Sequence, residues 1–127
     1  TFLEKIFLLH EEFTKPIQEI RFERMSRHLY DLEKIMDTPF GKDALTNIEL
    51  YRTIVEHRDK FTHIKSVDYT TLQPETINFM PPQIVMESWQ RDYELMQENM
   101  IWGKSISFNQ LIKRIEELQG RIRAISI

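Results

Sequence analysis

The chain contains no cysteine, only three glycines in 127 residues, and no apolar run approaching a membrane span. Without cysteine there is no disulfide and no thiolate metal site, which fits a reducing compartment. With so little glycine there is no Gly-rich phosphate loop and no Gly-x-Ser-x-Gly elbow. A helix crossing a bilayer needs ~20 apolar residues, and neither such a run nor a signal peptide is visible. A cytoplasmic protein with no membrane contact is expected. No His-x-x-x-His pair occurs, and His10, His57 and His63 follow no recognised metal spacing, so no metal ligand is assigned. Also missing is Asp-x-Asp, the closely spaced carboxylate pair that could hold Mg²⁺ beside phosphates. The formal net charge of −3 argues against broad, sequence-independent binding to nucleic acid and leaves room only for a local basic patch.

What is present is helix after helix. Phe2, Ile6, Leu9 and Phe13 recur at helical spacing, Thr1-x-x-Glu4 reads as a capping box, and Pro16 stops this helix near Thr14. A second helix is predicted from about Glu23 to Met36, ended by the turn Asp37-Thr38-Pro39-Phe40-Gly41. Thr46-Asn47-Ile48-Glu49 is a further capping box, opening a third helix through Leu50, Ile54 and His57. Residues 61–80 lack a helical period and read as an extended, surface-running connector, with short strand pairing left open. Pro81-Pro82 primes a fourth helix striped by Val85, Trp89, Tyr93, Met96 and Met100 and ended by Gly103. The last helix opens on the capping box Ser107-x-x-Gln110. Its seam, Phe108, Leu111, Ile115, Leu118, Ile122 and Ile125, is about two and a half heptads long. A free coiled coil needs about three or four, so docking inside the same domain is favoured over zipping to another chain. The fold class is all-α, a bundle of about five helices with one long irregular connector at 61–80.

The chemistry concentrates in Arg24-Met25-Ser26-Arg27-His28-Leu29-Tyr30-Asp31-Leu32. Helical spacing places Arg24, Arg27, His28 and Asp31 on one side, and Met25, Leu29, Leu32 and Met36 on the other, core-facing one. Guanidinium groups suit phosphate, and a carboxylate beside them suits a partner cation. The first helix adds Lys5. Each candidate has a plainer rival. Arg27 and Asp31 could form an i,i+4 ion pair worth a few tenths of a kcal/mol beside an idle histidine, and Lys5 could be an ordinary solvated lysine. Trp89 and Trp102 read as core and cap.

Thr1–Lys5 with Leu8–Glu12, then Arg24–Leu32, resemble the AbiEii-type nucleotidyltransferase toxins, the toxin half of type IV toxin–antitoxin systems. The likeness continues through Ile54–Phe61, Asp92–Met96, Met100–Gly103 and Ser107–Ile112, in order. It implies a nucleotidyltransferase with an N-terminal lobe carrying the metal-binding Asp-x-Asp, followed by a helical lobe. Neither that motif nor an initiator Met is in this sequence. The chain is therefore expected to be the C-terminal helical lobe, residues 1–127, starting inside the family's third motif and inactive alone. The missing lobe would be its partner, with Mg²⁺ and an NTP as cofactors of the intact protein. An RNA (tRNA) acceptor and an indirectly acting cognate antitoxin are further implied partners.

By the same resemblance, Lys5 matches the third motif's lysine and is expected near the triphosphate. Arg27 and Asp31 match the fourth motif, written in many members as Arg-Asp-x-Tyr-Asp. His28 stands where those members have the first aspartate. The implied catalytic residues are Lys5 and Asp31, and the implied nucleotide and phosphate ligands are Lys5, Arg27 and His28. Whether Asp31 is catalytic or only orients Lys5 or Arg27 is left open. A non-catalytic interaction module using the Phe108–Ile125 seam is the alternative of another class, and a structural scaffold a third.

Overall fold

The computed structural model describes residues 2–64, 67–99 and 105–125. These form six α-helices with no strand among them: α1 (Phe2–Thr14), α2 (Ser26–Met36), α3 (Pro39–Thr46), α4 (Ile48–His57), α5 (Met86–Asn99) and α6 (Phe108–Arg123). The all-α expectation is met, with one more helix than the periodicity implied. The stripes behave as read. Leu29, Leu32 and Met36 are buried on α2 with Met25 just before it, Trp89 and Tyr93 on α5, and Phe108, Leu111, Ile115, Leu118 and Ile122 on α6, whereas Val85, Met96 and Ile125 are only partly buried. Each buried side chain contributes roughly 1.5–3 kcal/mol by leaving water.

Helix α2 is the hub, packing on α1, α3, α5 and α6. The α6 seam is spent on this contact, so the interaction-module alternative loses its surface. Beyond the seam, Arg121 holds Asp37 at the end of α2 at 2.9 Å, with Arg114 on the same carboxylate. The Ser107 capping box is complete. Gln110 N–H donates to Ser107 Oγ at 3.2 Å, and Ser107 N–H donates to Gln110 Oε1 at 3.1 Å.

The extra helix, α3, lies where a turn was expected. Thr38 Oγ1 accepts from Gly41 N–H at 3.1 Å, and Pro39 sits in the first turn, where its missing N–H costs nothing. A Cβ at Gly41 would come within 2.2 Å of the Ile35 carbonyl oxygen, so glycine here allows α3 to fold back onto the end of α2. Because α3 runs to Thr46, the cap of α4 moves on by one residue. Asn47 Oδ1 accepts from Leu50 N–H at 3.0 Å, while the Thr46 hydroxyl donates back to Asp43 O. Helix α2 starts at Ser26 rather than Glu23, because Arg24 is left-handed (φ 59°) and breaks the helical path. The expectations on Thr1, Met100, Trp102 and Gly103 lie outside the described residues.

The 61–80 connector is not surface-running. Val67, Tyr69, Leu72, Ile77 and Phe79 are buried. Several of its backbone groups are met by side chains of the helices. Gln119 Oε1 accepts from Phe79 N–H at 2.8 Å, Arg123 donates to Ile77 O at 2.9 Å, and the Tyr51 hydroxyl donates to Leu72 O.

His10 completes this anchoring and reports its own tautomer. Nδ1 accepts from Asn78 N–H at 2.9 Å, and the Thr71 hydroxyl already donates to Asp68 O. The proton therefore sits on Nε2 and is donated to Thr71 Oγ1 at 2.9 Å. Burial lowers the His10 pKa below 6.5, outweighing the pull of Glu11, and a second proton would set Nδ1–H against Asn78 N–H. His28 is lowered in the same direction, again chiefly by burial. Both groups bind protons more readily unfolded than folded. Their stabilisation is present above pH 6.5 and is lost as the pH falls through the lowered folded values. Urea unfolding at pH 7 and at pH 5.5 is expected to show lower stability at the acid value, with the slope flattened in His10→Gln. A stability independent of pH across this window would refute the assignment.

Candidate active site

The polar edge of α2 faces two neighbours, α1 and α5. On the α1 side, Lys5 Nζ donates to the Asp31 carboxylate, with the two side chains 30% and 36% exposed. The plainer reading had Asp31 pairing with Arg27; the structure gives Asp31 to Lys5 instead. Two residues 26 apart in sequence thus share one ion pair. A half-exposed pair contributes only about 0–1 kcal/mol to stability, so its placement says more about local charge than about folding.

His28 lies between the charges. Burial lowers its pKa, the cations Lys5, Arg27 and Arg21 push the same way, and Asp31 pulls against them. It is therefore neutral at pH 7, a hydrogen-bonding group rather than a third cation. Its Nδ1 is buried and meets no hydrogen-bond partner among the described residues.

On the α5 side, Arg27 and Arg24 line a cleft of about 380 Å³ together with Asp92, Leu95 and Met96. Arg24 does not share the helical face assigned to it by spacing; it sits in the turn before α2. That turn is held by Asp92 of α5. Its carboxylate accepts from Arg24 N–H at 2.7 Å, from Ser26 N–H at 3.0 Å and from the Ser26 hydroxyl. Left-handed backbone costs a non-glycine residue roughly 1 kcal/mol or more, and charge-assisted bonds of this kind can offset it. The periodicity could not reveal Asp92, because a cap supplied from 66 residues away leaves no local pattern.

The site's fit to a metal can be tested on its carboxylates. Asp31 is taken by Lys5, Asp92 by the Arg24–Ser26 turn, Glu11 by Arg58, and Glu12 by Lys15 and Arg21. Among the described residues no group of three His, Asp or Glu side chains could hold an ion.

The family model described as nucleotidyl transferase AbiEii toxin, type IV TA system, matches residues 1–114. The chain belongs to the AbiEii nucleotidyl transferase toxin family. No curated protein and no solved structure gives a significant match.

The span of the match corrects three linked expectations. Likeness to the AbiEii family is not confined to a C-terminal helical region, since it covers nearly the whole chain. The reading of the chain as the inactive remainder of such an enzyme falls with it. So does the reading that names a missing nucleotidyltransferase lobe as its partner. No described helix is long and apolar enough to cross a membrane.

Proposed function

We propose that the α1–α2 edge of this AbiEii-family chain is its phosphate-handling site in nucleotidyl transfer from an NTP. Lys5 and Arg27 are the phosphate ligands, His28 is a neutral hydrogen-bonding neighbour, and Asp31 orients Lys5. The observation that carries this reading is the Lys5–Asp31 contact, which draws the lysine of one helix to the arginine- and histidine-bearing edge of another. In nucleotidyl transfer an acceptor oxygen attacks the α-phosphorus and the bond to the leaving pyrophosphate breaks, so negative charge grows on the leaving group. An ammonium held by Asp31, with a guanidinium near it, stabilises that charge. Asp31, engaged with Lys5, fits a positioning role better than that of a base.

Lys5→Ala in the protein is expected to lower NTP transfer by about 100-fold or more. Its melting temperature should stay nearly unchanged, because the lost ion pair is half exposed. Wild-type transfer rates in Lys5→Ala would remove Lys5 from the site and with it this reading.

A further inference from the structure

Two arginines without a partner among the described residues meet at the start of α2. Arg21, Arg58, Arg91, Arg114 and Arg121 each grip a carboxylate, and Arg123 a backbone carbonyl. Of the three arginines whose guanidinium has no partner among the described residues, two, Arg24 and Arg27, line one cleft between α2 and α5. Arg24 is exposed and reaches its position only through a left-handed backbone. Asp92 sits in the same cleft, yet its carboxylate is occupied by two backbone N–H groups and the Ser26 hydroxyl, which spread its charge into the turn. The same cleft is lined by Leu95, 58% exposed, and Met96, partly buried, which add apolar surface to the cationic one. A ligand with phosphates at one end and a flat, weakly polar ring at the other matches this pairing of walls.

We propose that this cleft is the nucleotide subsite of the transfer site, with Arg24 a phosphate ligand beside Arg27 and Asp92 the residue that positions them. The proposal rests on the phosphate-handling reading above and extends it to two residues which that reading does not use. The strained turn is then explained: Asp92 holds in place a backbone that, left alone, would continue α2 and turn Arg24 elsewhere. Glu23, which also lines the cleft, works against anion binding, and Glu23→Gln should tighten it.

The test is calorimetric titration of the protein with ATP, GTP, CTP and UTP in turn, and with inorganic tripolyphosphate. Wild type is compared with Arg24→Gly, Asp92→Asn, their double variant, and Lys5→Ala. Glycine tolerates the left-handed turn, so Arg24→Gly is expected to keep or raise the melting temperature while weakening NTP binding about tenfold, the loss of one charge-assisted contact. Tripolyphosphate affinity should fall by the same factor. Asp92→Asn should weaken binding and lower the melting temperature. In the Arg24→Gly background its effect on binding should shrink while its thermal cost persists, which a purely structural residue would not show. Unchanged NTP affinity in Arg24→Gly, with Lys5→Ala still weakened, overturns this inference alone. A loss for NTP with none for tripolyphosphate overturns the phosphate contact. No NTP binding by wild type overturns both this inference and the reading beneath it.

Discussion

Glu11→Ala is expected to lower the folding stability by about 3–5 kcal/mol, a large share of what a single domain has. Glu11 is 1% exposed, and its carboxylate is gripped by Arg58 through Nε at 3.0 Å and through a second guanidinium nitrogen. The Tyr69 hydroxyl donates to the same carboxylate at 2.9 Å and in turn accepts from Ile64 N–H at 3.0 Å. One buried group thus ties α1 to the turn after α4 and to the start of the connector. Removing it leaves the Arg58 guanidinium, 14% exposed, without its counter-charge, and leaves a buried tyrosine hydroxyl without its acceptor. Most of the cost is that orphaned charge, so Glu11→Leu with Arg58→Met should lose less than Glu11→Ala alone. Chemical denaturation at pH 7 measures all three. A loss under about 1 kcal/mol for Glu11→Ala would mean that the pair is solvated and does not hold the connector.

The second large effect is expected at Trp89, which is fully buried on α5 with its ring 4.8 Å from that of Phe13 on α1. Trp89→Ala should cost about 3–5 kcal/mol, from lost transfer energy and the cavity left between the two helices. Trp89→Phe separates the two properties of the residue. Nε1 is buried and meets no partner among the described residues, so phenylalanine keeps a ring against Phe13 and removes a desolvated N–H. Its cost should fall well below that of alanine, measured by the same unfolding curves. Equal losses in both variants would place an acceptor on Nε1.

The candidate site was readable in the sequence to an uneven degree. Arg27, His28 and Asp31 fall within about one helical turn, and the apolar residues interleaved with them placed all three on the outer edge of α2. The likeness to AbiEii motifs added Lys5, which spacing alone left as a solvated lysine. That Asp31 faces Lys5 and not Arg27 depends on how α1 crosses α2, and no periodicity encodes a crossing. Arg24 was misplaced for a related reason. Its spacing fits the helix, but the Asp92 carboxylate from α5 stabilises a left-handed turn that ends the helix before it. The same motif order led to an error of extent, since the chain was read as one lobe of the family whereas the family match runs from residue 1 to 114.

By itself the sequence determined the helices whose signals are local. The 3.6-residue stripes of α1, α2, α5 and α6 and the Ser107–Gln110 box act between residues at most four apart, so they are written in adjacent letters. Tertiary structure decided what depends on distant partners. Gly41 became a packing residue because α3 folds back over Ile35, and the connector became core because His10, Gln119 and Arg123 satisfy its backbone. Asp92 became a helix cap from 66 residues away. A side chain that satisfies a backbone group across the fold needs only the right atom in the right place, and that requirement leaves no repeating mark in the chain.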